Sequence, residues 1–542
     1  MTVCGAAFGE AEFANKREDI NMENLDFKLN RESLAAAAVI LDCSCEQPVE
    51  KDIVLPDYYP DIFRVLKCTV SPFVNSHSIN GGKLSFETAV TIRVLYLAEN
   101  DKRINCIEQK CTLPKSLDLN GECVNPAVYV IPKCDYINCR VVNQRRLDIR
   151  GAVTASVKVV SDAEQAVVTD ASGCCVQLKK QPATFPSKRI SVAKRITVIE
   201  ELEMSSSKPS VGTVLRCGCN VNQGENKIIA GKLITKGEAE ITMLYSCINS
   251  AGEDTAENMK FSVPFSQIID VDGIDETYEA QLEITAGSCD IIPKGEESSS
   301  LECELVLLVT CTAVKYETGE VVTDAYSTKY ECELEHCKTA VECRPAQVNE
   351  SFQSECTLTC GDGEISCIYD SFAECRNVSV RADNDKNCFV VSGSTLFSVL
   401  GANGDKQPFF IEGETPFEQE IPLPAGCNDI ESASCDIKVS AAGSSFYLAG
   451  AGSAEMKAEL KICGYIRFSS AGCMLGSLKV LTDKPKQKNN SYALKLCRCA
   501  DSEDIWDIAK RYSTSVTAIM EENELTDDKI SQQGMLLIPL MS

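Results

Sequence analysis

The sequence predicts a mainly β protein with three tandem β-rich repeat domains, sandwich- or barrel-like, and a small C-terminal βααβ module. Four observations support this prediction. The 542-residue chain is long enough for three or four domains. Short motifs recur at a constant spacing, and long segments alternate apolar and polar residues. The tail differs from the rest because its apolar residues follow the spacing of short helices.

The repeats are visible as three motifs that each recur 149 residues later in the chain. The matched pairs are Gly82-Lys83-Leu84 with 231–233, Leu95-Tyr96 with 244–245, and Val65-Leu66-Lys67-Cys68 with 214–217. A third copy is marked by Ser288-Cys289-Asp290-Ile291, which returns at 434–437. Three matches at one offset indicate a duplicated domain.

Each repeat contains long segments with the alternation of a half-buried strand. These segments are Leu84–Tyr96, Arg146–Val159, Leu233–Tyr245, Leu301–Ala313 and Ala454–Ile466. In the second of them Leu147, Ile149 and Val153 share one face, while Asp148 and Arg150 share the other. Antiparallel strands of this kind bury one face, so two packed layers or a closed barrel must cover it. The sequence leaves both arrangements open.

These patterns assign residues to domains along the chain. The predicted bounds are 1–50 for an N-terminal lead segment with a short helix, 51–185, 186–330 and 331–478 for the three β domains, 479–492 for a linker, and 493–541 for the tail module. The helix is predicted over Leu34–Leu41, an apolar run rich in alanine, with Asn30 as its N-cap. The linker is predicted from the polar stretch Thr482–Ser491.

The net charge of the chain limits the classes of macromolecule that the protein can bind. The formal net charge of −26 repels phosphate backbones and anionic lipids, so we expect no nucleic-acid binding. No segment approaches the ~20 apolar residues of a membrane-spanning helix, and we expect no membrane insertion. The N-terminus lacks the pattern of a secretory signal, so we expect the protein to stay in the compartment where it is made.

Catalysis and metal binding find little support in the sequence. Only His77 and His336 could supply an imidazole, and neither lies in a recognisable motif. We therefore predict a protein that is not an enzyme, with no catalytic residue, no metal and no cofactor. The 31 cysteines include no zinc-ribbon spacing, and we expect reduced thiols. A structural metal and oxidative crosslinking of exposed thiols remain the alternatives.

The tail predicts two short helices between two short strands. Ile505, Ile508, Ala509 and Tyr512 fall on one helix face, and Asp504 is placed to cap that helix. A second helix begins after Ser515, and a strand over 536–539 ends the unit at a proline. This pattern resembles a LysM module, a βααβ fold that commonly binds glycans containing N-acetylglucosamine.

The LysM resemblance assigns a set of candidate residues for binding a protein partner or a glycan. They are Ser502, Glu503, Asp504, Ile505, Asn523, Leu525 and Ile530. The first loop reads Ser-Glu-Asp where family members usually have Gly-Asp-Thr, so both kinds of partner stay open. Trp506, the only tryptophan of the chain, is interpreted as a packing residue on the helix face.

The stretch Leu55–Ile62, with the sequence Leu-Pro-Asp-Tyr-Tyr-Pro-Asp-Ile, opens the first β domain. Together with the three β domains and the LysM tail, it resembles the SipL family of clostridial spore-envelope proteins, whose repeat is called the SPOCS domain. The resemblance implies a scaffold of the endospore coat, made in the mother-cell cytoplasm and placed on the forespore surface. It also implies a partner, the stage IV sporulation ATPase of the coat's basement layer. The alternative is a protein that binds peptidoglycan glycan chains in the cell wall or spore cortex.

Overall fold

The computed structural model describes residues 27–99, 103–205, 207–294, 300–337, 344–361, 363–425, 427, 430–450, 452–468, 474–487, 493–499, 503–526 and 534–540. Within these residues the chain is mainly β, and its two α-helices both lie in the tail. The predicted fold class is therefore confirmed. All five strand segments singled out by alternation lie within observed strands.

The strands fall into three consecutive units and a tail. Unit 1 contains β1 (Lys28–Val54), β2 (Arg64–Asn80), β3 (Lys83–Leu97), β4 (Ile104–Asp118), β5 (Ala127–Asn143) and β6 (Arg146–Ser172). Unit 2 contains β7 (Val176–Glu203), β8 (Thr213–Ile229), β9 (Lys232–Ile248), β10 (Asp254–Asp270), β11 (Tyr278–Lys294) and β12 (Ser300–Ser327). Unit 3 contains β13 (Tyr330–His336), β14 (Ala346–Thr359), β15 (Ile365–Asp383), β16 (Cys388–Asn403), β17 (Pro408–Pro422), a 3-10 turn (Ile430–Ser432), β18 (Ala433–Gly450), β19 (Ser453–Phe468) and β20 (Leu475–Pro485). The tail contains β21 (Leu494–Cys499), α1 (Ile505–Tyr512), α2 (Val516–Glu522) and β22 (Gly534–Pro539).

All three units share one topology, which identifies unit 3 as a full copy of the other two. In unit 1 the sheets have the orders β1-β6-β5 and β2-β3-β4. Unit 2 repeats this with β7-β12-β11 and β8-β9-β10, and unit 3 with β14-β19-β18 and β15-β16-β17. In each unit a three-stranded meander is thus inserted after β1, β7 or β14, before the two strands that complete the other sheet.

The two sheets of each unit face each other across an apolar core. In unit 1 Val94, Tyr96, Leu147 and Ile149 lie between the sheets and are almost completely buried. The sheets stay separate ladders, and they touch along β2 and β5, β8 and β11, or β15 and β18. Each unit is therefore a two-layer sandwich, which decides between the two arrangements that the sequence left open.

The predicted helix over Leu34–Leu41 is wrong, because these residues belong to strand β1. They pair with Gln165–Val159 of β6 in an antiparallel ladder. Alanine favours a helix by less than about 1 kcal/mol per residue, and pairing with the long strand β6 outweighs that preference. The predicted lead segment 1–50 thus supplies the first strand of unit 1 from Lys28 onward.

Long strands carry the three units into a common stem, which we define as three two-stranded ribbons. The ribbons are the outer part of β1 and β6 (28–39 with 160–172), the outer part of β7 and β12 (176–186 with 316–327), and β13 with β20. Leu34, Val167, Phe185 and Val321 pack together where the ribbons meet. Strand β20 of the stem continues to Pro485, so the first part of the predicted linker 479–492 belongs to a strand.

The meander sheets of the three units meet at an apolar cluster. Leu95, Leu244 and Leu400 occupy corresponding positions on the central strands β3, β9 and β16, and all three are buried in one cluster. Beside it, Asp370 of unit 3 accepts hydrogen bonds from Arg216 Nε at 2.5 Å and Asn258 Nδ2 at 2.6 Å, both from unit 2. The three units therefore pack around a pseudo-threefold axis.

A cavity of about 1610 Å³ lies between the three units and is lined by residues from each of them. Its wall includes hydrogen bonds that join different units. Tyr129 Oη lies 3.1 Å from Thr312 Oγ1, and Arg467 Nη2 donates to Gln281 Oε1 at 2.7 Å. These contacts link unit 1 to unit 2 and unit 3 to unit 2, so the cavity wall also holds the units together.

Candidate functional site

The tail module is built from helix-capping residues that the sequence supplies locally. The Asp504 carboxylate accepts a hydrogen bond from the Trp506 backbone N–H at 2.8 Å and so caps α1. Ser513 ends α1 in the left-handed conformation, with φ of 54°. Ser515 Oγ accepts from the Ala518 backbone N–H at 3.1 Å and caps α2. The two helices therefore begin where the sequence predicts.

Apolar residues on both helices pack on the sheet formed by β21 and β22. Ile505, Ile508, Ala509, Ile519 and Ile538 are completely buried in one cluster. The cluster includes Tyr326 from the end of β12 in unit 2. The tail module therefore has a core that is completed by a side chain from outside the module.

We call the contact between the tail module and the end of the β7–β12 ribbon the seat. Tyr326 Oη donates to the Thr514 carbonyl at 2.7 Å, and its ring meets the Trp506 ring edge-on with 4.9 Å between centroids. Asp324 accepts from Trp506 Nε1 at 2.8 Å and from Lys510 Nζ at 2.7 Å. Buried aromatic rings with their polar atoms paired hold the first helix of the module against unit 2.

A second ion pair in the seat involves the first loop of the tail module. Lys179 of β7 donates to the Asp504 carboxylate, which is the same group that caps α1. The Asp504 side chain is 23 % exposed, so the pair is partly shielded from water. The seat thus engages a residue that the LysM resemblance assigns to ligand binding.

The electrostatics of the seat favour charged Asp324. Burial alone would raise the pKa of this carboxyl, but the hydrogen bonds from Lys510 and Trp506 outweigh burial and lower the pKa below its usual value. Burial raises the pKa of the Tyr326 hydroxyl, which therefore stays protonated as a donor. The seat is assembled from two carboxylates, two ammonium groups and two aromatic donors.

The remaining predicted site residues mostly hold the module together. Glu503 accepts from Arg511 Nη2 at 3.0 Å, and Ile505 is completely buried. Asn523 Nδ2 donates to the carbonyls of Ile519 and Leu537, and its Oδ1 accepts from the Leu537 N–H. Leu525 packs half-buried against the module core. Ser502 and Ile530 lie outside the described residues.

The outer face of the β21–β22 sheet is apolar and open to solvent. We call it the outer patch and define it by Leu494, Leu496, Met535 and Leu537, whose exposed fractions are 44, 58, 55 and 37 %. Leu496 pairs directly with Leu537 in the ladder, and Met535 lies opposite Arg498. Clusters of exposed large apolar side chains commonly mark interaction surfaces.

Sequence reasoning missed both the seat and the outer patch. Lys179, Asp324 and Tyr326 lie far from the tail in sequence, and no local motif marks them as its partners. The outer patch had a signal, since Leu494 and Leu496 alternate with Lys495 and Cys497 in the way of a strand. Applied to the tail, that alternation predicts a strand with Leu494 and Leu496 on one face and Cys497 on the other. A two-stranded sheet covered by helices on one side leaves one of these faces exposed.

The described part of the chain contains no group of three or more His, Cys, Asp or Glu side chains arranged to hold a metal ion. No disulfide joins any two of the cysteines that the structure describes. Neither of the helices in the described ranges has the length and apolar character needed to cross a membrane.

Comparison with protein families identifies the domains. The family model described as the SipL SPOCS domain matches residues 61–142 and 210–292, which span β2–β5 of unit 1 and β8–β11 of unit 2. The LysM domain model matches residues 503–539. Searches of the curated proteins and of the solved structures found no match. The chain therefore carries SipL-type SPOCS domains in its first two units and a LysM domain over residues 503–539, which confirms the predicted resemblance to SipL-like proteins.

Proposed function

We propose that this protein is a non-enzymatic scaffold of the endospore coat that tethers the coat to the forespore surface through protein–protein contacts. SPOCS and LysM domains together fit a coat-related sporulation protein with a peptidoglycan-binding module. In the proposal the LysM domain is the docking tail. Its partner is the stage IV sporulation ATPase of the basement layer, which the SipL resemblance implies, and the site of action is the mother-cell face of the forespore.

The observation that carries the proposal is the outer patch. Four large apolar side chains on a two-stranded sheet remain exposed while the opposite face of that sheet is buried under α1 and α2. A sugar ligand needs mainly polar groups, whereas a protein partner gains free energy by covering such a patch. The ion pair of Asp504 with Lys179 also occupies part of the first LysM loop.

The outer patch can be tested with Leu496→Asp in the full chain. We expect this variant to lose capture of the purified ATPase at least tenfold, because a charge replaces an apolar contact at the centre of the patch. The emission of Trp506 should stay unchanged, since Leu496 points away from the seat. Normal capture by Leu496→Asp would show that the outer patch is not the contact.

A matched control is Ile292→Asp on β11, where an isoleucine of similar exposure, 55 %, lies far from the LysM domain. The scaffold proposal expects this control to capture the ATPase normally. Equal losses in both variants would point to general damage and would contradict the assignment to the patch.

The cellular role can be tested by following a fluorescent fusion through sporulation. The proposal expects a ring around the forespore that disappears when residues 493–541 are deleted. Signal at division septa and along the vegetative wall would contradict a coat scaffold.

The LysM match supports one alternative, a protein that binds peptidoglycan glycan chains. Co-sedimentation of the full chain with purified peptidoglycan distinguishes the two. The scaffold proposal expects the protein to remain in the supernatant. Sedimentation that persists in Leu496→Asp would favour the glycan-binding alternative.

A further inference from the structure

Two thiols meet across the seam between the sheets of unit 2. Cys217 lies on β8 and Cys289 lies on β11, and their Sγ atoms are 3.2 Å apart. The two strands belong to different sheets that contact each other along this seam. Both thiols are half-buried, so a small reagent can reach them.

A third thiol lies beside this pair. Cys303 of β12 is opposite Ile291 in the ladder, two positions from Cys289, and it is completely buried. Contact with Cys217 and Cys303, together with burial, raises the pKa of the Cys289 thiol. Contact with Cys289 lowers the pKa of the Cys303 thiol. The thiols of this cluster therefore interact directly.

Unit 1 carries a thiol pair at the corresponding seam. Cys68 of β2 matches Cys217 in the repeat, and Cys139 lies on β5, the strand that contacts β2. Contact with Cys139, together with burial, raises the pKa of Cys68, and contact with Cys68 lowers the pKa of Cys139. A thiol–thiol contact between the two sheets thus occurs in both family-matched units.

Unit 3 provides an internal comparison. Cys375 on β15 and Cys435 on β18 lie on the strands of the corresponding seam, and neither thiol contributes to the pKa shift of the other. Burial raises the pKa of Cys375 to about 11 and that of Cys435 to about 12. Cysteines on these strands are therefore not always paired, which makes the pairs in units 1 and 2 a specific feature.

We propose that Cys217 with Cys289, and Cys68 with Cys139, are sites of intrachain disulfide formation that lock the two sheets of their units together. The oxidant is a small-molecule disulfide of the glutathione class. These are bonds within one chain, distinct from crosslinks between chains by exposed cysteines.

The chemistry proceeds by two thiol–disulfide exchanges. One thiol of the pair loses its proton to water, and its thiolate attacks a sulfur of glutathione disulfide. The first glutathione leaves as a thiolate, and a mixed disulfide remains on the protein. The second thiol of the pair, deprotonated in turn, attacks the protein sulfur and displaces the second glutathione. Two cysteines are oxidised and one small disulfide is reduced to two thiols, because the glutathione thiolates take up the two protons that the cysteines lose.

Such a bond would stabilise the unit against separation of its sheets. It closes a long loop between β8 and β11, and a loop of this length restricts the unfolded chain strongly. We expect oxidation to raise the midpoint of thermal unfolding of unit 2 by about 10 °C, since a crosslink across a long loop has a large effect on a unit of this size.

The test uses the full chain, purified with reductant and then incubated with oxidised glutathione. Remaining thiols are alkylated, and the protein is digested without reduction and mapped by mass spectrometry. We expect one linked peptide pair containing Cys217 and Cys289 and one containing Cys68 and Cys139, each two hydrogens lighter than its reduced form. Cys375 and Cys435 should be recovered alkylated.

Three results would overturn the proposal. The first is alkylated Cys217 and Cys289 after oxidation while exposed thiols such as Cys463 carry glutathione. The second is a bond between Cys289 and Cys303, which would join neighbouring strands of one sheet and leave the seam open. The third is zinc released in proportion when the cluster is alkylated, which would make it a metal site.

Two variants separate the bond from general effects on folding. Cys217→Ser should lose the unit 2 link and its share of the oxidation-induced rise in the unfolding midpoint, and it should keep the unit 1 link. Cys435→Ser in unit 3 is the matched control and should keep both links and the whole rise. The mapping of the unaltered chain stands by itself if Cys217→Ser fails to fold.

Discussion

At the scale of single residues, the seat concentrates several interactions on Trp506. Its ring packs on Tyr326, its Nε1 donates to Asp324, and its backbone N–H donates to Asp504. Because it is the only tryptophan of the chain, its fluorescence reports on the seat without interference. A residue that sequence reasoning interpreted as packing thus also anchors one domain on another.

Acid should loosen the seat, and Asp324 should control the pH at which this happens. The pKa of Asp324 is lowered in the folded protein, so its stabilisation is present above about pH 4, the value for a free carboxyl, and is lost as the pH falls through the lowered pKa. We expect the emission of Trp506 to shift to longer wavelength over that acidic range and to stay constant between pH 5 and 8.

Asp324→Asn tests this assignment. It keeps an acceptor for Trp506 but removes the charge that faces Lys510, so we expect the seat to weaken by about 1–2 kcal/mol and the acid transition to flatten. Asp507→Asn, on the exposed side of α1, is the control and should leave the transition in place. An unchanged transition in Asp324→Asn would assign the acid response to another group.

At the scale of elements, local signals predicted the tail better than the start of the chain. α1 and α2 begin directly after Asp504 and Ser515, because these N-caps act within one turn of helix. The run Leu34–Leu41 carries an equally helical composition, yet it forms a ladder with β6. The difference is a partner strand more than 100 residues away, which no local window of sequence contains.

The candidate site divides in the same way. The module and its capping residues could be predicted, because a LysM pattern is compact in sequence. The seat could not, since Asp324 and Trp506 are separated by 182 positions and neither has a neighbouring motif that names the other. Asn523 is predicted as a ligand residue by the LysM resemblance, although its amide is used within the module.

One glycine shows how closely the strands of a sandwich approach. A Cβ on Gly151 of β6 would lie 2.4 Å from the Tyr136 carbonyl oxygen and 2.6 Å from Ile137 Cδ1. We therefore expect Gly151→Ala to destabilise unit 1 by about 2 kcal/mol, because backbone must shift to admit the methyl group. Hydrogen exchange followed by mass spectrometry should show faster exchange in β5 and β6.

The matched control for that glycine is Gly404→Ala in unit 3, where the added Cβ meets nothing within 4 Å. It should leave exchange in every sheet unchanged. Unaltered exchange in Gly151→Ala would mean that β5 moves away without loss of stability. It would contradict the prediction that the close contact of β5 with β6 requires glycine at position 151.

At the scale of the whole molecule, the three similar units have different residues at equivalent positions near the pseudo-threefold axis, and these residues determine how the units pack together. The positions paired with Leu95, Leu244 and Leu400 hold Lys67, Arg216 and Asp370. Opposite charges join units 2 and 3 directly, while Lys67 of unit 1 binds Glu412 of unit 3 at 2.6 Å. If the three units had identical residues at these positions, like charges would lie close together near the axis. The units can therefore pack in this way because their sequences differ there.

Asp370→Ala should weaken the packing of units 2 and 3. The Asp370 side chain is 1 % exposed, and its loss leaves Arg216 and Asn258 without their shared acceptor. We expect the free energy of unfolding to fall by about 3 kcal/mol, measured by urea denaturation. Lys457→Ala, which removes a solvent-exposed ion pair with Glu355, should cause no measurable change.

The double variant Arg216→Met with Asp370→Leu checks the cause. Apolar residues of similar size remove both charges, so most of the lost stability should return. A double variant as unstable as Asp370→Ala would show that shape, and not the unpaired charge, accounts for the loss.

The union of three units on one chain has a consequence for how the protein behaves in dilute solution. A trimer of separate subunits dissociates as its concentration falls, because its formation depends on collisions between chains. Here the copies are joined by short peptide connections, as between β6 and β7, so the threefold body forms at any concentration. The first molecules to be synthesised would therefore already have their final shape, and each would carry the LysM domain of residues 503–539 fixed to unit 2.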